Sequence, residues 1–188
     1  METQGPIEVP QTEFLPGSFV IYAMHGKCHI LATETRILSG IPILFYKLGV
    51  KKPALSRSNK QEPAIWVPVA TAKDRGLRPP MSLPQAEAAM KILLTREYYF
   101  KLNEPWPQVL HQLENTIRLG GGEGLAKVAS YLHVLMRKQI VPSTEVAKMK
   151  ETVFKLLFRE MGEAMGEFPK TIEEKANKGL RTKLLPDS

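Results

Sequence analysis

The sequence predicts an α+β chain of two domains, a small antiparallel β barrel followed by an all-α domain of about five helices. Three observations carry this. Short β-prone runs between Gly and Pro punctuation fill residues 14–80. The character changes at Pro79-Pro80, after which strand signals almost vanish. Apolar residues then recur at helical spacing as far as residue 164. A single α+β unit is the weaker alternative, because the two element types are fully segregated along the chain.

Residues 1–13 are Pro-rich and polar and predict a disordered N-terminus. Pro16-Gly17 makes a turn, Phe19, Val20, Ile21 and Tyr22 begin a strand, and His25-Gly26 makes a second turn before Cys28, His29, Ile30 and Leu31. The strand signals cover 18–24, 27–36, 42–49 and 64–70, and by count suggest a compact SH3- or Tudor-like barrel. KKPALSRSNKQEP after Val50 reads as an extended hairpin tip.

In the second half, Ser82-Leu-Pro-Gln85 has the form of a capping box opening a helix over 86–94. A second helix is expected over 96–102. A third over 107–119 aligns Val109, Leu110, Leu113 and Ile117, and Gly120-Gly121-Gly122 ends it. A fourth over 125–139 aligns Leu125, Val128, Ala129, Leu132 and Leu135. A fifth starts at Pro142-Ser143, with Val146, Met149, Val153, Leu157, Met161 and Ala164 as its stripe and Glu145 near the positive end of its dipole. Residues 166–188 read as a Lys-rich polar tail, frayed helix and then coil.

Composition narrows function. The 188 residues are 43% hydrophobic and 24% charged, as in a soluble globular protein, with formal net charge +7. That excess suits anionic partners. One cysteine, Cys28, excludes an internal disulfide and reads as a buried inert thiol. No secretory signal or membrane span is visible, so a reducing cytoplasm is the simplest location.

His25 and His29 straddle a turn without a carboxylate nearby, too few ligands for a metal. GGGEGLAK at 120–127 lacks the phosphate-loop pattern and reads as one helix ending and another beginning. With no nucleophile–base pair and no paired acids, neither an enzyme nor a cofactor is expected. Between Arg118 and Arg159 lie eight basic residues, Arg118, Lys127, Arg137, Lys138, Lys148, Lys150, Lys155 and Arg159, against three acidic ones, Glu123, Glu145 and Glu151. These form either a phosphate-neutralising patch or the solvated faces of amphipathic helices. Trp106, between Pro105 and Pro107, is either a staple into its own core or an aromatic for stacking on or wedging between bases. Trp66, in a strand, is either core or partner-facing.

These residues resemble the CarD/CdnL family of bacterial transcription regulators, whose N-terminal module is shared with transcription-repair coupling factors. The family's opening Pro-Gly-Asp-x-Val-Val-Tyr-Pro-x-His-Gly stands here as Pro16-Gly17-Ser18-Phe19-Val20-Ile21-Tyr22-Ala23-Met24-His25-Gly26. Glu34-Thr35-Arg36, Gly40, Tyr46-Lys47-Leu48, Val67-Pro68, Gly76-Leu77-Arg78, the Trp at a helix start and Lys127-Val128-Ala129 follow in matching order, over roughly 14–165.

The resemblance implies a monomeric, non-enzymatic regulator in the bacterial cytoplasm, associated with the nucleoid. Its β domain would dock on the β-subunit lobe of RNA polymerase through Arg36, Leu38, Trp66 and Pro68. Its helical domain would meet promoter DNA at the upstream bubble edge without reading sequence, with Trp106 as a minor-groove wedge that stabilises the open complex. From the charge pattern, Arg118, Lys127, Lys148 and Lys150 are the candidates to hold phosphates. The alternative is a polymerase-binding adaptor that does not touch DNA. It is suggested by Gln108, Val109 and His111, which stand where relatives carry basic residues. Residues 51–63 and 166–188 have no counterpart in the family.

Overall fold

The computed structural model describes residues 12–50, 64–95, 97, 99–101, 104–138 and 143–182. The chain divides into two compact units at Leu77/Arg78. The first carries the sheet and the second the helices, as the segregation of strand and helix signals predicts.

The strands are β1 (Phe19–Tyr22), β2 (Gly26–Leu38), β3 (Ile41–Val50), β4 (Ile65–Pro68) and β5 (Leu77–Arg78), in a five-stranded sheet of order β4-β3-β2-β1-β5. The pairings β1–β2, β2–β3 and β3–β4 are antiparallel. The expected barrel is corrected to an open sheet, since among the described residues β4 and β5 form its two edges. The edge strands, of four and two residues, are short beside the thirteen-residue β2.

The Pro16-Gly17 turn forms as read, with the Ser18 N–H donating to the Leu15 carbonyl at 3.1 Å and the Gly17 N–H to Ile30 at 2.7 Å. Ser39 and Gly40, at φ 51° and 80°, join β2 to β3 in a two-residue turn with both central residues left-handed. That geometry matches the twist of a hairpin. One sheet face packs Val20, Cys28, Ile30, Tyr46, Leu48 and Val67 with Ala72 and Leu77.

The helices are α1 (Leu83–Leu94), α2 (Trp106–Leu119), α3 (Gly121–Lys138), α4 (Ser143–Met165) and α5 (Pro169–Thr182). The capping box holds: the Ser82 N–H donates to Gln85 Oε1 at 2.9 Å. The glycine run separates α2 from α3, with the Gly120 N–H capping onto Thr116 at 2.8 Å.

Among the described residues there are five α-helices, but not the five expected. Within 96–102, the described residues 97 and 99–101 are not helical, and the rest of that segment lies outside the described residues. Adjacent Tyr99 and Phe100 both pack on the helical core, with Phe100 edge-on to Tyr131 at 5.3 Å. Two neighbours on one helix would diverge by about 100° instead.

The polar tail is corrected in turn, because α5 buries Ile172, Ala176, Gly179 and Leu180. A Cβ on Gly179 would fall 2.7 Å from Leu94 Cα and 3.0 Å from the Leu93 carbonyl, so glycine is what lets α5 lie directly on the α1 backbone. Residues 183–188, 1–11 and 51–63 lie outside the described residues.

Candidate functional site

The sheet register determines which side chains meet. Arg36 is opposite Ile43, Leu38 opposite Ile41, Lys47 opposite Trp66 and Phe45 opposite Pro68. Directly opposed residues share a face, and so do residues two apart on a strand. Arg36, Leu38, Trp66 and Pro68 therefore all lie on the face turned away from Tyr46, Leu48 and Val67.

A bulge produces this arrangement. Between Ile30 and Ala32 the register shifts, leaving Leu31 unpaired. Cys28 and Ile30 face the core before the bulge, whereas Ala32, Glu34, Arg36 and Leu38 face outward after it. An extra residue exchanges the faces because the strand period is two.

The outward face is cationic and aromatic. The Arg36 guanidinium carbon lies 3.3 Å from the Trp66 ring centroid, and Lys47 Nζ lies 5.3 Å from the same ring. Lys47 also reaches Glu34 Oε1 at 3.7 Å. Beyond them this face presents Leu38 and Ile41, 50% and 62% exposed, while Ile37, 74% exposed, lies on the other face of the hairpin tip. Sequence reasoning found Arg36, Leu38, Trp66 and Pro68, but not Glu34, Lys47 or Ile41 as their neighbours. The Ser39-Gly40 dipeptide, a two-residue turn that sets Ile41 opposite Leu38, is the one sequence signal that could have revealed Ile41.

In the helical unit, Trp106 is half-buried against the core, and its indole N–H donates to Glu145 Oε2 at 3.1 Å. This matches the staple reading of a Trp at a helix start while leaving part of the ring accessible. From the sequence, Glu145 is only a residue near the positive end of the α4 dipole.

The candidate cations do not converge. Arg118 is twelve residues along α2 from Trp106, about 18 Å at the helical rise. Its guanidinium donates to Asn115 Oδ1. Lys127 is half-buried, with Nζ 5.4 Å from the Tyr99 ring. Lys148 is exposed, one turn from Glu145. Lys150, two positions on, turns to another side of α4 and lies 5.4 Å from the Phe154 ring. Burial pushes the Lys150 ammonium below its usual range.

The sequence also gave no sign of an ion pair that anchors the start of the helical unit. Arg78 donates to both carboxylate oxygens of Glu160, at 2.5 and 2.8 Å, and the Met81 N–H adds a bond at 2.9 Å. Glu160 is 6% exposed. Its three donors offset the cost of desolvating a carboxylate.

Cys28 is buried and its thiol is pushed up by that burial, which disfavours the thiolate. Burial also raises the Tyr99 and Tyr131 hydroxyls, with Glu104 adding to the effect at Tyr131. Among the described residues no three His, Cys, Asp or Glu side chains are grouped to hold a metal. No described helix is long and apolar enough to cross a membrane. Compared with known proteins, the chain matches no family model and no curated protein.

Proposed function

We propose that this chain is a non-enzymatic transcription regulator that docks on the β-subunit lobe of RNA polymerase through the outward face of its sheet. The helical unit then meets promoter DNA at the upstream bubble edge through Trp106, Arg118, Lys127, Lys148 and Lys150. The observation that carries this reading is the gathering of Arg36, Leu38, Trp66 and Pro68 on one solvent-facing surface beside an apolar hairpin tip. A surface combining an Arg, a Trp and exposed aliphatic side chains has the composition of a protein-binding hot spot. In the DNA role, the accessible part of the Trp106 ring supports an unstacked base step, and the dispersed cations hold phosphates without sequence readout.

A second reading, the polymerase-binding adaptor without DNA contact, is favoured by the Trp106–Glu145 hydrogen bond. A carboxylate beside the ring repels phosphates, and it ties down the indole that a wedge must present.

Two measurements on the full chain test these readings. Purified polymerase β lobe should be captured by the wild type and lost on Arg36→Glu. Failure of the wild type to capture it overturns both readings. Open-complex lifetime should then fall on Trp106→Ala while capture persists. An unchanged lifetime eliminates the wedge and leaves the adaptor.

A further inference from the structure

Resting on the polymerase-docking reading, we propose that Trp66 is a positioning residue. Its indole holds the Arg36 guanidinium so that the in-plane N–H groups take a carboxylate from an acidic, partly apolar segment of the docked partner. At 3.3 Å from guanidinium carbon to ring centroid, only a face-to-face stack fits. Such a stack leaves the edge of the guanidinium, where all its donors lie, uncovered.

The neighbouring charges single out Arg36. Lys47 shares the ring at 5.3 Å, but its ammonium lies 3.7 Å from Glu34. Among the described residues Arg36 has no hydrogen bond and no ion pair, and it is exposed. This leaves a preorganised fork of donors with an unmet requirement for a planar anion, which a carboxylate fills with two parallel bonds.

The surroundings favour a protein carboxylate over a phosphate backbone. On the same face Leu38 and Ile41 are 50% and 62% exposed. Aliphatic side chains gain by burial against a protein segment but have little to contact along a phosphate chain. The stack also accounts for a Trp at this half-buried, outward-facing position of β4. Its face is the platform that removes rotamer freedom from Arg36 before binding, and such prior ordering reduces the entropy lost on association.

The test is a titration of purified polymerase β lobe against full-length wild type, Trp66→Leu, Trp66→Phe, Arg36→Ala and the double variant Trp66→Leu/Arg36→Ala. Trp66→Leu should weaken binding about three- to tenfold, and Trp66→Phe, which keeps a ring face, should retain most of the affinity. Arg36→Ala should weaken binding more than about tenfold, and adding Trp66→Leu to it should change little.

Wild-type affinity in Trp66→Leu overturns the proposal while leaving docking intact. An equal loss from Trp66→Leu with or without Arg36 also overturns it, because Trp66 would then touch the partner directly. Loss of bubble-DNA binding on Arg36→Ala, with lobe binding unchanged, would assign the cation to phosphates and overturn it as well. No lobe binding by the wild type overturns the docking reading itself.

Discussion

In the sheet unit, Tyr46, Leu48 and Val67 face the core, while Lys47, Trp66 and Pro68, one residue away on the same strands, face outward. In the helical unit Trp106 does both jobs at once, packing against the core and exposing part of its ring. The difference comes from backbone geometry. A strand alternates sides strictly, so contact residues and core residues can be chosen independently. A helix in a bundle has a broad buried stripe with side chains straddling its border, and a Trp there contributes to stability whether or not it contacts a ligand. The proposed binding role is therefore separable from folding in the sheet unit and entangled with it at Trp106.

The strongest challenge to this contrast is Glu160→Ala, which removes an acceptor from Arg78 and leaves the Met81 N–H without its bond. We expect a loss of about 3 kcal/mol in chemical denaturation followed by circular dichroism. Glu160→Gln should recover part of that by keeping an acceptor. A loss below about 1 kcal/mol would mean that the pair does not anchor the helical unit.

Trp106→Ala comes next. A half-buried Trp should cost about 2 kcal/mol, and the same denaturation curve measures it. A neutral result would separate binding from folding at Trp106 too, and so break the contrast. The smallest effect is expected from Arg36→Glu, which should change stability by no more than about 0.5 kcal/mol because the side chain is exposed on the face of Trp66. A larger loss would show that the outward face is part of the fold.

Much of this was legible in the sequence. The Ser82–Gln85 box, the glycine break at Gly120 and the stripes of α2, α3 and α4 are local signals, and each formed close to where it was read. The tail was misread because α5 has few apolar residues, so its composition is polar although Ile172, Ala176 and Leu180 keep helical spacing. Gly179 is the residue whose missing side chain admits α1. The helix expected over 96–102 is replaced at Tyr99 and Phe100 by non-helical chain whose adjacent rings both pack on the core.

The sequence by itself determined the order of the two units, most of the helices and the Pro16-Gly17 turn, while Arg36, Leu38, Trp66 and Pro68 were singled out only by the family resemblance. Each of these rests on local backbone preference or on a motif readable along the chain. Only the tertiary structure decided that those four residues share a face, because the bulge at Leu31 exchanges the faces of β2 and no periodicity announces a one-residue insertion. It alone placed Arg36 on Trp66, Glu145 on Trp106 and Glu160 on Arg78. These pairs are 30, 39 and 82 residues apart, and their contacts arise from packing, which no local pattern encodes.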